Sequence, residues 1–326
     1  MKTLIIKGSE VEKLVSLEDV IDCVENVWRW HGEGKTVMPS KITTDMGGLG
    51  VHGWFNSMPS YIAPIDAAGL KLVGGYDDNP QNGLPFIRAN VMLTDPKNGH
   101  LRALVSGDWI SWARTGAQPA VAMKYLAAST DIVTIIGAGQ QAMSTVKCIS
   151  AVHKVKEFRI CDIRKEARES FSKDFEGRDF AVTPFASNKD GCLGADVIIT
   201  LTTANAVLVE EDWCKKGCLV MPMGSFKEVS DDIARKFDKV CLDHIAQGMH
   251  RGQFKEMTAR GEIKAEDFDA ELPDVVAGKK TGRDNPDQRI ICQLVGMGSP
   301  DLAVAQLVYD RVSASEIKPV EVDLMS

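Results

Sequence analysis

The spacing of apolar residues changes character partway along the chain. Up to about residue 105 they come in short stretches broken by glycine and proline. Leu4 to Ile6, Val51 to Ser57, Gly69 to Gly74, Phe86 to Thr94 and His100 to Val105 read as strands joined by turns. Helical spacing enters early. Ser9 is placed to cap a brief helix, and Ser16 with Asp19 forms a capping box ahead of Val20, Ile21, Val24, Val27 and Trp28, with Gly32 and Gly34 as the stop. A helix over Thr115 to Ala127, opened by Arg114, leads into a different regime in which compact apolar runs alternate with helical segments. Ile132 to Ile136, Phe158 to Cys161, Phe180 to Val182, Val197 to Leu201, Cys218 to Met221 and Val240 to Leu242 are the expected strands, and Ala167 to Phe175 a helix. That alternation predicts an α/β fold with a doubly wound parallel sheet. Residues from about 250 to 285 are polar and charged, a solvated stretch with short helices. The chain closes on a helix that begins at Ser299-Pro300 and carries Leu302, Ala305, Val308 and Val312 along one face.

Length favours two domains. The change of texture places an α+β domain over residues 1–118 and a Rossmann-type domain over 119–298, while the closing segment, 299–326, suits a helix that returns to the first domain. Within the second domain, Asp131 to Asp162 carries the most specific chemistry. A strand, the turn Gly137-Ala138-Gly139-Gln140-Gln141-Ala142, a helix, a second strand and an acid follow in the order of a dinucleotide-binding unit. Gly137 permits the tight turn, Gly139 lets backbone come up to a pyrophosphate, and Ala142 lets the helix lie close to the strand. Gln140 and Gln141 stand at the helix N-terminus, where unpaired N–H groups and the positive end of the dipole favour phosphate. Asp162 falls where a carboxylate accepts from an adenosine ribose hydroxyl and repels a 2'-phosphate, so NAD is favoured over NADP. Arg164 is the competing signal: it could pair with such a phosphate, or be a solvated residue opening the next helix. Ligands of these sheets collect beyond the carboxyl ends of the strands. Thr202 and Thr203 after one strand, and Met223, Gly224 and Ser225 after another, are therefore expected to face the cofactor.

Charge and cysteine content narrow the class of protein. A net charge of −7 argues against nucleic acid or an anionic membrane as the main partner. No apolar stretch approaches the roughly eighteen residues of a membrane span, and the apolar run in MKTLIIKGSEVEK is too short for a signal peptide, so a cytoplasmic location is expected. Eight cysteines are scattered, several inside apolar runs, as free thiols of a reducing compartment. Cys214 and Cys218 are close in sequence, but without a second pair or a nearby histidine they do not spell a zinc site, and no metal is expected.

A nicotinamide enzyme also needs a grip on its substrate, which directs attention to Lys41, Lys71 and Arg114. Lys71 interrupts the apolar run Leu70, Leu72, Val73, where an unpaired ammonium is costly. Either strand alternation turns it to solvent or it enters a polar pocket. The planar fork of Arg114 suits a carboxylate, whether of a substrate or of a helix-end acid in a structural ion pair.

With those residues in view, the chain resembles the ornithine cyclodeaminase/mu-crystallin family over nearly its whole length. Ser57-Met58-Pro59, GLKLV around Lys71, the stretch from Asp95 to Leu104, WARTGA around Arg114, the GAGQQA turn and the late ELPDVVAGKKTGR and VGMGSPDLAVAQLVYDR segments carry the likeness. The resemblance implies a Rossmann domain and a substrate and dimerisation domain built from the N-terminal part plus the last helix, in a homodimer. It also implies that Lys41, Lys71 and Arg114 surround a substrate carboxylate, with Lys71 exchanging a proton. The implied reaction is hydride transfer between NAD(P) and the alpha carbon of a small amino or cyclic imino acid. Ornithine cyclodeaminases carry an Asp and a Pro-Gly-Lys segment after the glycine matching Gly224, whereas this loop reads Gly224-Ser225-Phe226-Lys227-Glu228. Glu228 either stands in for the acid or matches a glutamate that several members keep beyond it. The departure favours an amino acid dehydrogenase or imine reductase. Cyclodeamination of ornithine and a non-catalytic crystallin-like binding protein are the alternatives. Met58, Phe226 and the residues near Pro300-Asp301 are expected in the pocket wall.

Overall fold

The computed structural model describes residues 2–324 and holds two eight-stranded sheets. The chain divides into two compact units, one formed by the residues up to Arg114 together with those from Met297 onward, the other by Thr115–Gly296. These limits lie a few residues from those expected at 118/119 and 298/299, because the first falls inside a continuous helix whose side-chain pattern has no break there.

The first unit contains β1 (Lys2–Ile6), β2 (Thr36–Val37), β3 (Ile42–Asp45), β4 (Gly53–Ile62), β5 (Ala67–Tyr76), β6 (Ile87–Thr94) and β7 (Leu101–Ser106). The second contributes β8 (Ile132–Ile136), β9 (Glu157–Cys161), β10 (Ala181–Phe185), β11 (Val197–Thr200), β12 (Leu219–Pro222), β13 (Lys239–Leu242), β14 (Ala270–Glu271) and β15 (Ile290–Gln293), and β16 (Val320–Asp323) returns to the first.

In the first unit the sheet runs β16-β1-β7-β6-β5-β4-β2, with β3 paired on β4. Among the described residues its strand pairs are antiparallel apart from β1 with β7. Along β4 buried and partly exposed positions alternate, as one covered face requires. The cover is the closing helix, Ser299–Ser313, which packs on β4, β5 and β6 and on the helix Leu17–Gly32. Its own Leu302, Val304 and Val308 are fully buried, each contributing about 1.5–3 kcal/mol of apolar burial. At the start of Leu17–Gly32 the capping box is formed: the Asp19 N–H donates to Ser16 Oγ at 3.2 Å and the Ser16 N–H to Asp19 Oδ2 at 2.8 Å. The guanidinium of Arg311 on the closing helix donates to both oxygens of the same Asp19, at 2.6 and 2.7 Å.

Two helix starts differ from expectation. The brief first helix is Gly8–Leu14 with Lys7, not Ser9, at its cap, because Glu10 reaches back to the Lys7 N–H at 2.7 Å. The helix expected from Thr115 begins at Asp108 and runs to Leu126, so Arg114 lies inside it rather than opening it. Asp108 anchors that earlier start by accepting the Ala89 N–H at 2.5 Å and pairing with Arg88 at 3.0 Å. These contacts come from the neighbouring strand and leave no mark in the local sequence.

In the second unit the strand order is β10-β9-β8-β11-β12-β15-β13-β14, with parallel pairings throughout. The central strands are buried along their length, as a sheet covered on both faces demands. Chain direction reverses its spread between β8 and β11, which is the switch point where such sheets open a crevice. Strand β15, slotted between β12 and β13, was not expected, since IICQ is a four-residue run at the end of a polar stretch. Among the described residues no helix is long and apolar enough to cross a membrane.

Candidate functional site

Lys71 stands on β5 between its register partners Met58 on β4 and Val91 on β6. Alternation sends Lys71 and Val73 to the covered face and leaves Leu72 40% exposed, so the lysine is the inward residue and is fully buried. Burying an ammonium requires partners. Its Nζ donates to Ser111 Oγ at 2.8 Å and lies 2.7 Å from Oδ1 of Asp301, itself fully buried. The other oxygen of Asp301 lies 3.0 Å from Nε of Arg114, a residue only 8% exposed. Attraction between the two cations and the one carboxylate joins the three side chains.

Two cations therefore flank one anion on the covered face of the first unit. Burial, reinforced by the positive charge of Arg114 and opposed by Asp301, lowers the Lys71 ammonium to about 8. A lysine in that range changes protonation state near neutral pH, as an acid–base group must. Met58, expected in the pocket wall, is buried beside Lys71 and forms a small apolar cluster with Val73 and Ala89. A Cβ at Gly298 would meet the Met58 backbone oxygen at 2.8 Å, so the start of the closing helix approaches β4 closely. Lys41 lies one residue before β3 and is half-buried.

In the second unit the glycine turn follows β8. Gly137 has φ +106°, and a Cβ there would stand 2.6 Å from the Leu201 carbonyl oxygen, so both conformation and space call for glycine. Gly139 caps the helix Gln140–Val152, and a Cβ on it would meet nothing within 4 Å. Its lack of a side chain leaves open space in front of the helix N-terminus, as a bound pyrophosphate needs. Ala142 is fully buried against the sheet.

Asp162 directly follows β9. Its Oδ2 accepts the Ala138 N–H at 2.9 Å and its Oδ1 the Arg164 N–H at 2.8 Å, with the Arg164 guanidinium 3.3 Å away. Burial alone would raise this carboxyl, but the two N–H donors and the guanidinium outweigh it and hold it below the usual range. It is thus anionic at the turn. Arg164 is largely exposed. Thr202 and Thr203 follow β11, and Met223, Gly224 and Ser225 follow β12. The two segments are joined by Glu228, whose carboxylate accepts from Thr202 and from the Gly224 N–H. Phe226 is 44% exposed in this loop.

Ser111 is the site residue that sequence reasoning did not name, while Asp301 was expected only in the pocket wall and Glu228 only as a loop residue or stand-in acid, not as the partners found here. Asp301 did leave a signal: it shares a helical face with Val304, Ala305, Val308 and Val312, and an acid in an apolar stripe demands a buried cation. Ser111 left none, being one serine in a helix whose start was misplaced. Among the described residues no group of His, Cys, Asp and Glu is placed to hold a metal ion, and all eight cysteines are free thiols.

Comparison with known proteins identifies the family of the chain. The sequence profile of the ornithine cyclodeaminase/mu-crystallin family matches residues 1–316. An alanine dehydrogenase of Archaeoglobus fulgidus is 30% identical over 324 residues, 97% of each chain. Among solved structures, an archaeal alanine dehydrogenase dimer with bound NAD superposes with a TM-score of 0.93 at 28% identity, covering all of both chains. The Thermococcus litoralis Delta(1)-pyrroline-2-carboxylate reductase in complex with NADH and L-proline gives 0.89 at 28% identity over 96% of this chain and 98% of that one.

Proposed function

From the premise that the chain belongs to the ornithine cyclodeaminase/mu-crystallin family, we propose that it is an NAD(P)-dependent oxidoreductase of small amino or cyclic imino acids. Relatives named alanine dehydrogenase and pyrroline-2-carboxylate reductase support that reaction class. The solved relatives hold NAD or NADH, which with Asp162 favours NAD over NADP. The relative described as a dimer supports a homodimer. The observation that carries the proposal is the fully buried Lys71, held between Arg114 and Asp301 and lowered to about 8.

With Lys71 protonated, two positive charges face one negative charge, and the surplus suits a single substrate carboxylate. Arg114 and Lys71 are the groups that hold it, with Lys41 as the third cation of the set. Fixing the carboxylate fixes the neighbouring alpha carbon, which removes orientational freedom from the barrier. Bound nicotinamide supplies hydride acceptance and donation at that carbon. Lys71 Nζ moves the proton: as ammonium it protonates an imine nitrogen during reduction, and as the free amine it accepts a proton from the amino group during oxidation. Asp301 and Ser111 keep Nζ in position for either direction. Gly137, Gly139, Gln140, Gln141, Asp162 and Arg164 form the nucleotide side, with Thr202, Thr203, Met223, Gly224 and Ser225 from the two strand-end loops.

NADH absorbance followed with alanine, with cyclic imino acids and with ornithine tests this. Net cofactor turnover on an amino or imino acid, lost about 100-fold or more in Lys71→Met, is the expected result. Conversion of ornithine to proline and ammonia with no net change in NADH would overturn it.

A further inference from the structure

Glu228 is fully buried between the segments that follow β11 and β12. Its Oε2 accepts from the Thr200 hydroxyl at 2.7 Å and the Gly224 N–H at 2.8 Å, and its Oε1 from the Thr202 hydroxyl at 2.8 Å and the Thr202 N–H at 3.1 Å. Those donors fill the roughly four lone-pair positions of a carboxylate. The backbone is held as well. The Leu208 N–H donates to the Glu228 carbonyl at 2.7 Å, and the N–H groups of Glu228 and Val229 both donate to Oε1 of buried Gln253, at 3.1 and 2.9 Å. Gly224 completes the fit, because a Cβ there would lie 2.4 to 2.7 Å from the carboxylate atoms.

Saturation has two consequences. A carboxylate engaged by fixed donors cannot take up or release a proton without breaking its network, so it is poorly placed to act as an acid or base. The same bonds fasten the Thr202–Thr203 segment to the Met223–Ser225 segment, both expected at the cofactor. Building on the nicotinamide-dependent reading above, we infer that Glu228 is a positioning residue for the dinucleotide: it sets the spacing of these two loops and takes no part in proton transfer.

Glu228→Gln keeps the length but turns an amide NH2 toward donors, and Glu228→Asp keeps the charge but is one methylene too short to hold both loops. Fluorescence titration with NADH is expected to show Kd raised about tenfold in both, with the KM for NAD following. The KM for the amino or imino acid and the pH dependence set by Lys71 stay as in the wild type. Thr200→Val, which removes one donor at nearly constant volume, is the milder probe and raises the NADH Kd about twofold to threefold. An unchanged Kd in all three variants overturns the inference. So does a kcat lost in Glu228→Gln and restored in Glu228→Asp, the signature of proton transfer. Failure of the wild-type protein to bind NADH would instead bring down the nicotinamide reading, a result visible before any variant is compared.

Discussion

A lysine without water keeps its proton only as far as its neighbours replace the lost solvation. For Lys71, burial and Arg114 favour the neutral form and Asp301 the charged one. Asp301→Asn is therefore expected to move its ionisation further below about 8, and Arg114→Gln to move it up. Reduction of an imine needs the ammonium and declines as pH rises through this value, whereas oxidation of an amine needs the free base and increases. Profiles of kcat/KM against pH should thus shift in opposite directions in the two variants; a shift of the same sign in both would remove Lys71 as the titrating group. Stability carries the same sign logic. The unfolded chain holds this proton to about 10.5 and the folded one to about 8, so between those values rising pH favours folding through this residue. Asp301→Asn also strips the anion from two buried cations, a loss of about 3–5 kcal/mol that thermal unfolding would register. Much of this was legible beforehand, since Lys71 in an apolar run is costly and the fork of Arg114 calls for a carboxylate. The anion's identity was not, because spacing along one helix reveals that Asp301 needs a cation without saying which distant strand provides it.

At the level of elements, the turn after β8 separates folding from binding. Gly137→Ala places a methyl group 2.6 Å from the Leu201 carbonyl at a φ of +106°, and the strain, about 1–3 kcal/mol, is expected to lower the melting temperature. Gly139→Ala meets no protein atom within 4 Å, so the fold should melt as before while NADH binds more weakly, the methyl occupying space meant for the pyrophosphate. Equal NADH affinity in Gly139→Ala and the wild type would place the phosphates elsewhere. This turn could be read from sequence because its strand, glycines, helix and acid are contiguous. The helix Asp108–Leu126 and strand β15 could not, for opposite reasons. The former is started by contacts from β6 rather than by a local cap. The latter is a short apolar run that becomes a strand only where β12 and β13 leave a place for it.

On the scale of the molecule, the first unit is assembled from both ends of the sequence, with the second unit inserted between them. The closing helix covers β4 to β6 and carries Asp301, the carboxylate that pairs with both Lys71 and Arg114. Removing the chain from Ser299 onward is expected to expose that sheet face and abolish cooperative unfolding of the first unit, which dye binding and calorimetry would report; retention of a sharp transition for that unit would show that the helix is dispensable to it. The change of apolar texture marks where short strands give way to alternating strands and helices, but the sheet orders could not be read from it, since neighbours in a sheet need not be neighbours in sequence. Synthesis on the ribosome adds a temporal consequence. The residues of the nucleotide unit are translated before Asp301, so Lys71 and Arg114 still lack their counter-charge through that interval and acquire it only when the helix Ser299–Ser313 emerges.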